Sequence, residues 1–292
     1  MKMGKLGVWY FTDTLSAEAA AKTAQRIEQL GYSTLWIPET VGRNPLVHAS
    51  WLLANTKMLK VATGIANIYH REPGVTLAAQ NTLAEQSGGR FLLGIGVSHK
   101  PLVEGVRGLK YGKPVPTMKD YLAKMDASPY NAPKPAERPA RVIAALGPKM
   151  LELAREQCDG AHPYFTSPEH TRMARGILGP NKMLCVEQKV LLETDPVKAR
   201  QLARDVAQIY INLPNYRNNW LRMGLNEKDL ADGGSDRFID ATFAWGSVDA
   251  IKTRIREHFD AGATHVCIQP VNPNGVFGDL HWKALEALKD TV

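Results

Sequence analysis

Short runs of β-branched and aromatic residues alternate with helical stretches along nearly the whole chain. Such runs predict buried strands, and their regular alternation with helices is typical of parallel strands joined by crossover helices. The pattern predicts eight strands, over Leu6–Phe11, Ser33–Pro38, Leu59–Ile65, Phe91–Gly96, Arg141–Leu146, Gly160–Phe165, Leu184–Leu192 and His265–Pro270.

The junctions between these elements repeat as well. Glycines that can end a helix in the left-handed conformation precede strands at Gly31, Gly88–Gly89, Gly160 and Gly262. Helix starts are indicated at Ser16, Pro73, Ser167 and Ser247. Eight such units predict an α/β fold, one (β/α)8 TIM-barrel domain over residues 1–292. The alternative, a doubly wound sheet, lacks the glycine-rich turn that normally follows its first strand.

One segment departs from the repeat. Residues 210–243 predict a helical insertion between the seventh strand and the last helix, and this insertion is interpreted as either a lid or an oligomer contact. The proline-rich segment Ser128–Arg138 predicts an ordinary exposed loop.

Composition narrows the class of protein. Of 292 residues, 44% are hydrophobic and 22% are charged, which is typical of a folded globular protein. The chain has no apolar stretch long enough for a membrane span and no cleavable leader, so we expect a cytoplasmic protein that does not bind membranes. Its three cysteines predict neither disulfides nor a metal site. The net charge of +7 is spread without a basic stripe, which favours an anionic small molecule over nucleic acid.

Functional side chains in such barrels follow the carboxyl ends of the strands. Glu39 and Thr40 follow the second strand, and Gly64, Ile65, Ala66 and Asn67 follow or end the third. Gly96, Val97, Ser98 and His99 follow the fourth strand, Gly147, Pro148 and Lys149 follow the fifth, and His162 lies in the sixth.

These motifs resemble those of the luciferase-like monooxygenase superfamily, in particular its branch of oxidoreductases that use the deazaflavin coenzyme F420. The resemblance covers essentially the whole chain. It rests on GVW near the start, LWIPE, VATGIANIYHREP, the segment TLAAQNTLAEQSGGRFLLGIGVSH, and LGPKMLELA with DGAHPYF. Because five such motifs occur in order, their combination is more specific than any one of them.

The resemblance implies a non-proline cis peptide bond at Gly64–Ile65 that supports the back of the coenzyme ring. Ala66, Asn67, Gly96, Val97 and Ser98 are then further coenzyme-binding residues. The alternative for Gly64 is a glycine that only relieves crowding at a bend of the barrel.

The phosphodiester of the coenzyme is expected at Gly147, Pro148, Lys149 and Met150. Backbone N–H groups at a helix start bind anions, and Lys149 adds a positive charge. The alternative is an ordinary turn with proline at the first helical position.

Two residues are candidate catalytic groups. His99 stands where some relatives carry an acidic residue, and an imidazole there can exchange a proton with substrate while hydride moves. The alternative is a histidine that only makes structural hydrogen bonds. Glu39 keeps an acidic group where relatives have an aspartate, but Thr40 replaces their following histidine, which puts their proton relay in doubt.

The resemblance therefore implies an enzyme that transfers a hydride between coenzyme F420 and a small organic substrate. The alternatives are an FMN-dependent monooxygenase and a protein that binds the deazaflavin without turnover. We expect the substrate pocket to involve Trp9, Phe11, Trp51, Tyr69 and the insertion, and relatives suggest a homodimer.

Overall fold

The computed structural model describes residues 1–273 and 279–292, and within them eight parallel strands close into a barrel. The predicted fold class is confirmed. The strands are β1 (Leu6–Trp9), β2 (Thr34–Ile37), β3 (Lys60–Thr63), β4 (Ala66–Asn67), β5 (Phe91–Gly96), β6 (Arg141–Ile143), β7 (Gly160–Ala161), β8 (Met183–Leu191), β9 (Phe243–Trp245) and β10 (His265–Pro270). β3 and β4 together form one of the eight barrel strands, and β9 is an addition to the eight. Strand β10 pairs with β8 on one side and with β1 on the other, which closes the sheet.

Helices surround this barrel, and their starts agree with the sequence signals. The Ser16 and Ser247 hydroxyls accept hydrogen bonds from the backbone of the first helical turn, and Pro73 is the first residue of its helix. The helices are α1 (Ala17–Gln29), α2 (Pro45–Ala54), α3 (Pro73–Gln86), α4 (Pro114–Ala127), α5 (Pro148–Gln157), α6 (Pro168–Leu178), α7 (Pro196–Ala207), α8 (Pro214–Arg222), α9 (Asp236–Thr242), α10 (Val248–Asp260) and α11 (Trp282–Leu288).

Alternate residues of each strand face either the helices or the inside of the barrel. In β1, Leu6 and Val8 join the main core between strands and helices, whereas Trp9 packs inside the barrel. Trp36 from β2 also lies inside, where its indole N–H donates to Nε2 of His265 over 3.0 Å. The inside of the barrel is therefore packed with large and partly polar side chains.

Three details differ from the predicted strands. The third strand is interrupted at Gly64–Ile65, and its continuation β4 pairs with β5. The sixth predicted strand corresponds to β7, which is only two residues long. Its Gly160 is not in the left-handed conformation. Glycine is required there because a Cβ would lie 2.0 Å from the Met183 carbonyl oxygen of β8. Strand β9, which pairs with the end of β8, was not predicted.

The insertion over residues 210–243 contains α8 and α9 and has a core of its own. Phe165, Tyr216, Trp220 and Phe238 form its centre, and the Trp220 indole N–H donates to the Phe165 carbonyl oxygen over 3.1 Å. Phe165 follows the barrel strand β7, so the second core is attached to the rim of the barrel. We call α8 and the residues that it presents to the cavity the roof.

Within residues 1–273 and 279–292, no helix combines the length and the apolar composition that a membrane crossing requires. Nor do those ranges contain a cluster of three or more His, Cys, Asp or Glu side chains arranged to hold a metal ion.

Candidate active site

A cavity of about 940 Å³ opens at the carboxyl ends of the strands, between the barrel and α8. Its size is in the range of small-molecule and cofactor sites. Most of the predicted site residues line it: Glu39, Gly64, Ile65, Val97, Ser98, His99, Gly147, Pro148, Lys149 and Met150. The residues predicted from the strand ends therefore lie together at one end of the barrel.

The floor of the cavity is the bend between β3 and β4. The Gly64–Ile65 peptide bond is cis, as predicted, and Trp9 Nε1 donates to the Gly64 carbonyl oxygen over 3.1 Å. A Cβ on Gly64 would lie 2.7 Å from Trp9 Nε1 and 3.0 Å from His162 Nε2, so no larger residue fits without movement. The floor is closely packed from below.

Three predicted coenzyme-binding residues do not line the cavity. Ala66 and Asn67 are buried in β4, where Asn67 Oδ1 accepts a hydrogen bond from the backbone N–H of Tyr69. A Cβ on Gly96 would lie 2.8 Å from the Ile65 side chain. These residues hold Ile65 in place, and direct contact with a ligand at any of the three stays a prediction.

His162 supports the floor from inside the barrel. Its ring stacks on Trp36 with centroids 4.2 Å apart, and Nδ1 bonds the Cys185 carbonyl oxygen over 2.8 Å. Nε2 is buried without a hydrogen-bond partner. Burial lowers the pKa of His162 to about 4, so the ring is neutral at pH 7.

Glu39 lies in the cavity wall with its carboxylate already engaged. Arg71 Nη2 donates to it over 2.5 Å, the Asn67 backbone N–H over 2.7 Å, and His70 Nδ1 lies 3.1 Å away. Burial raises the pKa of Glu39, but the hydrogen bonds and charge of Arg71 outweigh burial and the net shift is downward. Glu39 is therefore a carboxylate that orders the loop after β4, and proton transfer by it stays a prediction.

A second carboxylate, Asp13, lines the cavity and was not predicted. It accepts hydrogen bonds from the Thr40 hydroxyl over 3.2 Å and from the backbone N–H of Arg43 over 2.9 Å. The guanidinium of Arg43 donates to the Leu15 carbonyl oxygen, and its Nε is buried. The loop after β2 is thus fixed by hydrogen bonds to the loop after β1.

His99 lies at the cavity mouth, just after β5. The preceding residue, Ser98, has φ of 56°, a left-handed value that is uncommon outside glycine, and a π-helical turn over Pro101–Val106 follows. His99 Nδ1 is 3.1 Å from Oδ1 of Asn215 on α8. Burial lowers the pKa of His99, and the bond to Asn215 opposes that shift. The ring is neutral at pH 7.

The part of the cavity that follows β6 can hold an anion. Gly147 precedes α5, and the exposed Lys149 lies in its first turn. The guanidinium of Arg222, at the end of α8, lies beside Gly147, since a Cβ there would be 3.7 Å from Nη2. Arg222 was missed in the sequence because it is one of several basic residues in a segment without strand-end signals.

A buried ion pair lies behind the cavity wall. Lys189 Nζ is 3.3 Å from both carboxylate oxygens of Glu187, and both side chains are 0% exposed. Nζ also lies 3.8 Å from the ring centroid of Tyr164, a cation–π distance. Burial lowers the pKa of Lys189 to about 8, against the attraction of Glu187, and burial raises the pKa of Glu187.

The predicted pocket aromatics are divided. Trp9 and Phe11 line the cavity, and so do Tyr210 and Tyr216 from the insertion. Trp51 does not: its side chain is 44% exposed on α2, where its N–H donates to the Ala17 carbonyl oxygen. Tyr69 is also outside the lining, and it contacts the cavity through the stacked ring of Tyr111.

Comparison with known proteins shows which proteins this chain is similar to. The family model described as luciferase-like monooxygenase matches residues 3–178. A 5,10-methylenetetrahydromethanopterin reductase from Methanolobus tindarius is 27% identical over 299 residues, which cover 87% of this chain and 91% of the relative.

Solved structures with the same fold bind different cofactors. The coenzyme F420 dependent tetrahydromethanopterin reductase from Methanopyrus kandleri has a TM-score of 0.77 and 18% identity, covering 99% of this chain and 98% of that one. The oxygenating constituent of 3,6-diketocamphane monooxygenase from Pseudomonas putida, in complex with FMN, has a TM-score of 0.72 and 15% identity, covering 99% and 97%. At these identities the structures establish the fold alone.

Proposed function

We propose that this chain, which belongs to the luciferase-like monooxygenase family, is an oxidoreductase that binds coenzyme F420 and transfers a hydride between it and a small organic substrate. The similar proteins named above are enzymes: one is a reductase matched over nearly its full length, and another is a reductase that depends on coenzyme F420. A deazaflavin or flavin cofactor is consistent with both groups of solved structures.

The residues of the cavity fit such a coenzyme. The Gly64–Ile65 floor offers a surface without a side chain at Gly64, against which a planar ring can lie. The start of α5 with Lys149, together with Arg222, offers N–H groups and two positive charges to a phosphodiester. When bound, the deazaflavin supplies the two-electron hydride chemistry, and the protein supplies binding, orientation and proton exchange.

His99 is the proposed proton-exchanging residue. Its imidazole at the cavity mouth is neutral, so it can accept a proton from a substrate oxygen or nitrogen, and once protonated it can donate that proton back. Glu39 and Asp13 have the supporting role of ordering the loops beside it, since each accepts at least two hydrogen bonds from its neighbours.

The single observation that carries the proposal is that one cavity brings together a cationic helix start, a neutral histidine and a closely packed floor. Lys149 and Arg222 lie at that helix start, and His99 follows the neighbouring strand β5. A flavin mononucleotide fits the same division, so FMN is the second candidate, favoured by the FMN complex among the similar folds.

The test is equilibrium binding of coenzyme F420 and, separately, of FMN, followed by fluorescence, with Lys149→Glu as the variant. We expect preferential binding of F420 and an affinity for F420 about tenfold or more lower in the variant, because one attractive charge becomes repulsive. Glu152→Lys, the opposite charge reversal at the exposed fifth residue of the same helix, is the matched control. Preferential binding of FMN would mean that the cofactor is a flavin instead of the deazaflavin. Binding of neither cofactor would overturn the proposal.

A further inference from the structure

We infer that Asn215, on the first turn of α8, is a positioning residue that fixes the tautomer of His99, so that Nε2 is the nitrogen that exchanges a proton. The role in catalysis rests on the proposed function of His99, whereas the tautomer itself does not. Asn215 comes from the insertion, 116 residues along the chain from His99.

The contact defines which nitrogen carries hydrogen. Nδ1 of His99 is 3.1 Å from Oδ1 of Asn215, and an amide oxygen can only accept. With the Asn215 amide turned so that Oδ1 faces the ring, Nδ1 carries the hydrogen. A neutral imidazole has one N–H, so Nε2 keeps its lone pair, and which nitrogen is protonated is set by the bond that the other makes. This makes Nε2 an acceptor on a ring that lines the cavity.

The position of Asn215 is set by the packing of the roof. Its chain neighbour Tyr216 is buried in the second core, with its ring stacked on Trp220 at 5.8 Å between centroids. The same Tyr216 ring contacts His99 at 5.5 Å. Because Tyr216 is anchored, Asn215 is presented to His99 by a helix that cannot rotate without unpacking its own core.

Several titratable groups surround His99 on the neighbouring elements. Tyr216 faces it from α8, and Tyr111 donates to the Ser98 carbonyl oxygen from the loop before α4. Lys100 and Glu104, in the π-helical turn, pair with each other over 3.6 Å. Among the described residues of these elements, Asn215 is the one whose side chain hydrogen-bonds the imidazole. Because asparagine is uncharged, replacing it by leucine changes this hydrogen bond without changing the net charge of the site.

The first experiment measures the tautomer directly in the protein without coenzyme, by NMR of 15N-labelled histidine side chains. We expect the Nδ1–H form in the wild type. In Asn215→Leu the acceptor is gone, and the Nε2–H form, which free histidine prefers in water, becomes populated. Asn218→Leu is the matched control, because Asn218 lies on the same helix and lines the same cavity but makes no bond to His99. It should leave the tautomer unchanged.

The second experiment uses a conservative variant and a pH profile. Asn215→Asp keeps an acceptor, so it should keep the Nδ1–H form, and its negative charge should raise the pKa of His99. The acid limb of kcat against pH should then move to higher pH. Asn215→Leu should lower kcat about fivefold, the ratio that one neutral hydrogen bond supports, with little change in the affinity for coenzyme.

The outcomes separate this inference from the proposed function. An unchanged tautomer in Asn215→Leu, or an unshifted pKa of His99 in Asn215→Asp, would overturn the positioning role. If the tautomer changes as expected but the protein binds neither coenzyme F420 nor FMN, the positioning of His99 stands and the proposed function fails.

Discussion

The floor and the roof of the cavity are built by opposite means. The floor consists of backbone at Gly64–Ile65, packed from inside the barrel by Trp9, Trp36 and His162. The roof consists of polar side chains from α8, with Asn215 exposed at one end of the helix and Arg222 at the other. Both enclose the same ligand volume, but only the floor depends on the barrel core.

This difference teaches how shape and chemistry are divided in the site. A floor of close-packed backbone and rings fixes the shape, because interiors at this density tolerate little change in volume. A roof of flexible polar side chains supplies charge and hydrogen bonds with little effect on the packing beneath. We therefore expect substitutions in the floor to affect stability and binding together, and substitutions in the roof to affect binding or turnover without affecting stability.

The largest effect is expected at Lys189, whose Nζ lies over the rings of Tyr164 and Phe165 behind the cavity wall. Lys189→Met removes the cation from the fully buried Glu187 carboxyl and should lower the free energy of unfolding by about 3–5 kcal/mol at pH 7. Denaturation in urea gives this value. Lys198→Met, an exposed lysine on α7, is the control and should change stability by less than about 0.5 kcal/mol. A loss below about 1 kcal/mol for Lys189→Met would mean that the buried ion pair contributes little to the stability of this region.

A smaller effect is expected from Gly64→Ala in the floor. The added Cβ would meet Trp9 Nε1 at 2.7 Å, so the free energy of unfolding should fall by about 1–3 kcal/mol and coenzyme affinity should fall with it. Thermal unfolding and fluorescence titration measure the two. Gly176→Ala is the control, since a Cβ at that position in α6 meets nothing within 4 Å and should stabilise the helix slightly. Normal stability with normal binding in Gly64→Ala would remove the distinction between floor and roof.

The smallest effect on the fold is expected from Arg222→Ala in the roof. Losing this guanidinium beside Gly147 should weaken coenzyme binding about tenfold without changing the unfolding temperature. Arg217→Ala on the same helix is the control, because Arg217 pairs with Glu227 instead of facing the cavity. A large loss of stability in Arg222→Ala would show that the roof is also a packing element.

The sequence predicted the barrel and its floor better than the roof. Buried parallel strands are covered on both faces, so they appear as continuous apolar runs, and left-handed glycines such as Gly31 and Gly262 end the preceding helices. The roof has no such periodic signal. Asn215 and Arg222 reach the site only through the packing of α8 on Phe165, which is a long-range contact.

Other errors have equally local causes. Strand β9 is three residues long and lies at the end of the insertion, too short to stand out as an apolar run. Trp51 was expected in the pocket because of its size, but helical spacing places it on the outer side of α2. The Lys189–Glu187 pair is visible in the sequence as two charged residues in the middle of the apolar run Leu184–Leu192, a pattern that indicates a buried ion pair.

The separate core of the insertion has a consequence for engineering. Trp220, Phe238 and Tyr216 pack on one another and on Phe165, in a cluster that also includes Leu191 of β8 and residues of α7, so the segment from residue 210 to 243 is seated on the barrel rim as a packed unit. Exchanging it for a segment with the same aromatic contacts to Phe165 would present new polar groups to the cavity while leaving Gly64 and its packing untouched. Sequence changes confined to residues 210–243 would then alter substrate choice through one contiguous part of the gene.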